Sequence, residues 1–169
     1  LVGAVRLLNN LSADLDILRP SMLETGLEIL AYNINRKNNN LRFFELGKIY
    51  KHEEDKYEEK EKICFWITGK KQNTNWKHQN TDADFFTAKG IVNSLLENIN
   101  IKNSVFEKPQ LSEKGTSQSI SKNKTEFGKL LQVNNNFLQK FGIKQAIIYA
   151  ELDVENIAKA SLKEEILYK

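Results

Sequence analysis

Leu18-Arg19-Pro20-Ser21-Met22-Leu23-Glu24-Thr25-Gly26-Leu27-Glu28-Ile29-Leu30-Ala31-Tyr32-Asn33-Ile34-Asn35-Arg36-Lys37, then Asn38-Asn39-Asn40, then Leu41-Arg42-Phe43-Phe44-Glu45-Leu46-Gly47-Lys48-Ile49-Tyr50, is the stretch that decides the fold. Pro20 fixes its own φ and pushes the residue before it out of the helical region, so the entry is extended. Ser21 followed by Glu24 reads as a capping box. Leu23, Leu27, Leu30 and Ile34 then recur at helical spacing and form one apolar stripe. Gly26 interrupts that helix at a cost of roughly 1 kcal/mol against Ala, which implies a close neighbour. Arg36 and Lys37 place positive charge at the negative end of the helix. The three asparagines make a turn, and the aromatic-rich run from Leu41 to Tyr50 makes a strand.

Upstream, Val2 to Leu8 reads as a short strand and Asn9 to Asp14 as a polar connection. Downstream, His52 to Lys62 is almost continuous charge of mixed sign, expected to be a solvated hairpin loop. Its return strand is Ile63 to Gly69, where Ile63, Phe65 and Ile67 alternate with Cys64, Trp66 and Thr68. Lys70 to Thr81 is a polar loop in which Trp76 is an apolar anchor. Asp84 can cap a helix whose stripe is Phe85, Ala88, Val92, Leu95 and Ile99. Val105-Phe106 begins a strand before Pro109, and Leu111 to Ser117 is expected to be loose. Ser119 to Ser121 and Phe127 to Val133 flank Lys122 to Thr125 as a hairpin. Asn135 can cap a short helix that Gly142 ends. Ala146 to Leu152 is apolar throughout, as a central strand would be, and Asp153 can cap a last helix over Val154 to Ala160. The expected fold class is α+β: a mostly antiparallel sheet of six to seven strands, flanked by three main helices, in one domain over residues 1–169.

The chain has 169 residues, enough for a real core, with 40% apolar and 28% charged residues. A net charge of +3 permits contact with RNA without requiring it. The single cysteine excludes an internal disulfide and suits a reducing compartment. No apolar run approaches a membrane span, and no signal peptide is visible; the chain begins mid-strand without Met, as a piece cut from a longer protein would.

Chemistry-bearing patterns are sparse. Neither a phosphate-binding loop nor a nucleophile elbow is present. His52, His78 and Cys64 lie too far apart for a zinc signature, and Cys64, in an apolar strand, reads as a small core residue. Glu53-Glu54-Asp55 and Glu58-Glu59 alternate with lysines and read as a solvated surface. Glu45, in the middle of an aromatic strand, would be costly to bury unpaired. Either Arg19 or Arg6 satisfies it, or strand alternation turns it outward to solvent.

The ordered set Leu8-Asn9-x-Leu11-Ser12-x-Asp14, Leu18-Arg19-Pro20-Ser21-x-Leu23, Tyr32-Asn33-x-Asn35-Arg36-Lys37 and Leu41-Arg42-x-Phe44-Glu45-x-Gly47-Lys48-x-Tyr50 resembles the beta chain of bacterial phenylalanyl-tRNA synthetase. Further matches are Asn75-Trp76, Asp84-Phe85-Phe86 with Lys89-Gly90, Phe127-Gly128-Lys129-Leu130, Leu138 with Phe141-Gly142-Ile143, and Glu151-Leu152-Asp153. Asn10 departs from the family's usual Pro, a local change of turn. The resemblance implies a class II aminoacyl-tRNA synthetase-like core. Catalytic members of that class place an Arg at the end of the first hairpin strand and another in a late Gly-rich strand–helix motif, where planar permanent charge stabilises the reacting phosphate. Here the first strand ends Lys48-Ile49-Tyr50-Lys51, and Asp153-Val154-Glu155 follows the late strand. The resemblance therefore implies a catalytically silent domain with no catalytic, cofactor or metal residues of its own.

Its parent enzyme would use ATP and Mg2+ to charge tRNA(Phe) with phenylalanine in the cytoplasm, as an alpha2-beta2 heterotetramer. The domain would pack on the alpha chain, with Met22, Leu23, Leu27, Leu30 and Ile34 supplying much of the contact, although part of that stripe must also pack on the domain's own sheet. tRNA would be reached through the parent complex. The alternative is an autonomous RNA- or nucleotide-binding module. Phe43, Phe44, Phe65 and Trp66 lie among apolar neighbours, which suits core packing better than a stacking platform.

Overall fold

Ile147–Asp153, six of whose seven residues are buried, is the strand on which the sheet is built. The computed structural model describes residues 4–7, 16–53, 56–71 and 81–162. Their elements are β1 (Val5–Arg6), β2 (Ile17–Leu18), α1 (Leu23–Ile34), β3 (Leu41–Glu53), β4 (Lys56–Thr68), α2 (Phe85–Asn98), β5 (Val105–Phe106), β6 (Gln110–Ser112), β7 (Gly115–Lys122), β8 (Thr125–Val133), α3 (Asn135–Gln139), β9 (Ile147–Asp153) and α4 (Val154–Leu162). β1 and β2 form a small antiparallel pair. The other seven strands form one antiparallel sheet in the order β3-β4-β9-β8-β7-β5, with β6 also pairing with β7. β9 lies between β4 and β8, as its unbroken apolar run requires.

Alternation along β9 divides the core in two. Ile147 and Tyr149 join the cluster with Met22, Leu23, Leu27 and Leu30 of the α1 region and Phe137 and Leu138 of α3. Ile148, Ala150 and Leu152 join the opposite cluster with Ala88, Val92 and Leu96 of α2 and Ile157 of α4. Helices therefore cover both faces of the sheet. Three caps follow the sequence directly. The Asp84 carboxylate accepts from the Thr87 amide, while Thr87 Oγ1 accepts from the Asp84 amide. Asp153 accepts from the Asn156 amide at 2.9 Å, and Gly142 takes φ 70° behind α3. The cap of α3 is Asn134, one residue earlier than expected.

Four expectations need correction. Ser21 and Glu24 do not form a capping box: the Ser21 hydroxyl accepts from the Leu23 amide at 3.2 Å, and Glu24 bonds to Lys114 instead. Within the charged run His52 to Lys62, the described residues 52–53 and 56–62 are strand rather than loop, and their charges match across the hairpin. Lys48 lies opposite Glu61, Lys51 opposite Glu58 and Glu53 opposite Lys56, and each such pair contributes about 0.2–1 kcal/mol. β9 meets β4 over Lys62 to Thr68, so the distal half of this hairpin extends past β9 as a two-stranded ribbon. Leu111 to Ser117 is not loose: β6 and the start of β7 pair there, Ser112 opposite Gly115. The fully buried residue at the end of the α2 stripe is Leu96, with Leu95 only partly buried. The connection Asn9 to Asp14, Trp76 and His78 lie outside the described residues.

Gly26 faces Trp66 of β4. A Cβ at that position would lie 2.1 Å from the indole Cε2, far inside contact distance. The helix tolerates glycine here because the indole occupies the space. Gly90, in the middle of α2, faces open space. Gly26→Ala is expected to destabilise the fold by about 1–3 kcal/mol through overpacking. Gly90→Ala is expected to be neutral or to stabilise by up to about 1 kcal/mol through helix propensity. Urea unfolding of the two variants beside the parent measures both.

Candidate functional site

The α1 side of the sheet carries the polar residues that could do chemistry, and each of them is engaged. Arg19 ends the extended entry ahead of Pro20. Its carbonyl accepts from the Tyr50 amide at 3.0 Å, its Nε donates to the Lys48 carbonyl at 2.9 Å, and its Nη1 donates to Glu45 Oε1 at 2.7 Å. Gly47 makes this possible: a Cβ there would lie 2.1 Å from Arg19 Nη2, so the guanidinium rests against bare backbone. Of the two arginines considered for Glu45, it is Arg19 that reaches it. Both side chains stay about one-third exposed, so the pair fixes geometry more than it adds stability.

A second polar group lies deeper, on β4 and β9. Lys62 Nζ stands 3.1 Å from Asp153 Oδ2 and 3.7 Å from Glu151 Oε1, with all three side chains nearly buried. The Tyr149 hydroxyl donates to Glu151 Oε2 at 2.7 Å and lies 3.1 Å from Cys64 Sγ. Burial pushes the Cys64 thiol up to about 12, and burial beside Cys64 and Glu151 pushes the Tyr149 phenol up as well. A thiol held protonated is a poor nucleophile. For Asp153, burial acts to raise the pKa, but the Asn156 amide and the Lys62 ammonium outweigh it and hold the carboxyl below its ordinary value. The cluster is thus a closed ion pair and hydrogen-bond chain, with no carboxylate poised as a general base. His52 of β3 stacks against Tyr57, ring centroids 4.6 Å apart. Among the described residues no group of three His, Cys, Asp or Glu could hold a metal ion.

The residues expected to meet a partner chain require a correction. Met22, Leu27 and Leu30 are 0% exposed and Leu23 is 2% exposed, all within the α1 cluster, while Ile34 packs against its edge. The stripe is consumed by this chain's own sheet, because Trp66, Cys64 and Tyr149 turn their side chains toward it. The apolar side chains that do face solvent lie elsewhere. On α1 they are Ile29 and Tyr32, the latter stacked by Arg36 at 3.4 Å. On the hairpin they are Phe44, 76% exposed, Leu46, 57% exposed, and Tyr57, 75% exposed. Phe44 therefore leaves the core group in which it was expected. The signal was the period of two: Phe43, Glu45 and Gly47 face α1, so Phe44 and Leu46 cannot. Lys89 lies over the Phe106 ring at 4.3 Å, a packing contact.

Residues 2–154 match the family described as the phenylalanyl tRNA synthetase beta chain CLM domain. The phenylalanine–tRNA ligase beta subunit of Bacteroides thetaiotaomicron is 33% identical over 98% of this chain and 22% of that protein. That of Chlorobaculum tepidum is 31% identical over 89% of this chain and 20% of its own length, and that of Protochlamydia amoebophila is 26% identical over 95% and 20%. The chain spans about one-fifth of the length of these relatives. Among solved structures, pyrrolysyl-tRNA synthetase from Desulfitobacterium hafniense superposes with a TM-score of 0.69 at 13% identity, covering 92% of this chain and 52% of that one. The fold is that of class II synthetases.

A carboxylate whose folded pKa lies below its unfolded one contributes stability that is fully present above the unfolded value and is lost as pH falls through the folded one. Asp153, Glu24 and Asp84 all shift in that direction. Stability is therefore expected to fall from about pH 4 downward. Asp153→Asn, which can still cap α4, should flatten part of that slope in urea melts taken from pH 6 to pH 3. Cys64 is expected to resist thiol reagents at pH 8 in the native chain and to react once in denaturant; rapid native labelling would contradict its placement.

Proposed function

The chain belongs to the phenylalanyl-tRNA synthetase beta chain family, through its CLM domain, and from that premise we propose that it is a non-catalytic synthetase-like module that docks on the alpha chain of phenylalanine–tRNA ligase. The parent assembly would be an alpha2-beta2 enzyme that joins phenylalanine to tRNA(Phe) with ATP and Mg2+ in the cytoplasm. The alpha chain would carry the chemistry, and this module would carry assembly. No described helix is long and apolar enough to cross a membrane, which is compatible with that setting.

The observation that carries the non-catalytic reading is that the α1 face is filled by its own residues. Trp66 fills the space beside Gly26, and Arg19 fills the space beside Gly47. The outer part of β3 carries Lys48 and Lys51 and no arginine, and Lys48 is ion-paired to Glu59. The last residue of the central strand is Asp153, which caps α4. Adenylation needs planar cations free to meet developing phosphate charge. Arg19 and Lys62 are instead held by Glu45, Glu151 and Asp153. The RNA-binding alternative is weakened by the burial of Trp66 and by the pairing of the hairpin lysines with glutamates.

Mixing this chain with the alpha chain and sizing the mixture tests the docking reading. A complex larger than either component is expected, at low-micromolar concentration and in 0.15 M salt. Separate elution of two folded chains would overturn it.

A further inference from the structure

The two ends of the β3–β4 hairpin differ in charge. They lie about 40 Å apart, since β3 runs 13 residues from Leu41 to Glu53. At the ribbon end the described lysines face glutamates across the strands. At the other end four stretches of chain converge, residues 36–42, 68–71, 81–84 and 144–146. Gln145 Nε2 donates to the Asn39 carbonyl at 2.8 Å and to Thr68 Oγ1 at 2.7 Å. The Lys70 amide donates to Asn40 Oδ1 at 2.8 Å, and Lys70 and Asp82 form an isolated antiparallel bridge. Arg42 Nη2 donates to the Lys70 and Lys71 carbonyls. These bonds wall a cleft of about 290 Å3 at the meeting point.

Around the cleft the four stretches gather Arg36, Lys37, Arg42, Lys70, Lys71 and Lys144 against Asp82 and Asp84. Every one of these cations except Lys70 is exposed. The excess of four positive charges is larger than the +3 of the whole chain. Lys70 pairs with Asp82 at 2.9 Å, and the Asp84 carboxylate, near Lys71, is spent on capping α2. Arg36 meets the Tyr32 ring and carbonyl, and Arg42 meets two carbonyls, so both keep their charge uncompensated. Among the described residues no carboxylate is within ion-pair distance of Lys37, Lys71 or Lys144.

An extended polyanion fits this end better than a single phosphate or a protein. Only Lys70 of the six cations lines the cleft, so the charge is spread over the surface rather than focused on one point. None of the large exposed apolar side chains among the described residues belongs to these stretches, so the apolar centre of a protein interface is missing. Asn38, Asn39 and Asn40 are exposed and add amides of the kind that reach phosphate and sugar. Nucleic-acid interfaces are polar and strongly positive in this way.

We propose that this end of the sheet binds the sugar–phosphate backbone of RNA, as a surface of the assembled ligase rather than as an autonomous module. The proposal rests on the reading above for the identity of the RNA, the tRNA that the parent enzyme charges. It adds a contact that docking on the alpha chain does not supply. The paired hairpin lysines lie at the far end of β3, and binding to a backbone needs no stacking ring such as the buried Trp66.

The test uses the full-length beta chain assembled with the alpha chain, with tRNA(Phe) as the probe, titrated between about 0.05 and 0.3 M salt. Lys37→Gln/Lys71→Gln/Lys144→Gln is expected to weaken tRNA binding at least about tenfold near 0.15 M salt, and to lower the slope of log affinity against log salt by about 2–3. The thermal midpoint and alpha-chain assembly are expected to stay unchanged, because the three lysines are exposed. Lys48→Gln/Lys51→Gln/Lys56→Gln removes the same charge from the ribbon, several screening lengths away, and is expected to change tRNA affinity by less than about twofold. Unchanged affinity and slope in the first variant would overturn the proposal, as would an equal loss in both variants. Loss of alpha-chain assembly in the first variant, with tRNA binding by the beta chain retained, would overturn it in favour of an acidic protein partner. If the unaltered chains fail to assemble, the docking reading fails, and tRNA binding by the full-length beta chain alone then decides this proposal by the same comparison of variants.

Discussion

The contact between α1 and Trp66 sets what the rest of the molecule can be. A helix lies close enough to the sheet for the indole to rest against Gly26, where any side chain would collide. That approach brings Met22, Leu27 and Leu30 down onto Cys64, Trp66 and Tyr149. The indole nitrogen is buried there without a hydrogen-bond partner, a loss of about 1–3 kcal/mol that dense packing around the ring has to offset. This leaves the α1 face of the sheet occupied by the chain's own side chains.

Occupation of one face bears on the other. Polar groups on the filled side are consumed locally: Arg19 by Glu45 and the Lys48 carbonyl, Lys62 by Glu151 and Asp153, and Tyr149 by Glu151. Exposed apolar side chains outside the two cores are spread over α1 (Ile29, Tyr32), the β3–β4 hairpin (Phe44, Leu46, Tyr57), α2 (Phe86), β5 (Val105) and β6 (Leu111). An isolated two-stranded ribbon is marginal in water, and an exposed apolar edge invites pairing. Along the edge, Arg19 holds the Tyr50 amide and the Lys48 carbonyl.

Much of this was legible in the amino-acid sequence, and the failures have physical causes. The central position of β9, the Asp84 and Asp153 caps, and the hairpin around Lys122 to Thr125 follow from local chemistry, and the structure has them. The charged hairpin was misjudged because mixed charge looks like a solvated loop until the register is known; the opposite-charge pairs exist only across the strands. The Ser21–Glu24 capping box does not form because the N-cap is one residue later, at Met22, and Glu24 is held by Lys114, which is distant in sequence. The apolar stripe of α1 was real, but a stripe does not say whether it faces its own sheet or a neighbour. At Gly26 the close neighbour is Trp66 of the same chain, whereas Gly90, also within a helix, has no close neighbour, so a helical glycine alone does not say which surface approaches.

The account's central claim is that a synthetase-type scaffold has had its reactive face closed by its own side chains. Phenylalanine-dependent exchange of labelled pyrophosphate into ATP, measured on the folded chain without an alpha chain, tests it most directly. The account predicts exchange no greater than in the absence of phenylalanine. Exchange that requires phenylalanine and disappears in Arg19→Ala would contradict it.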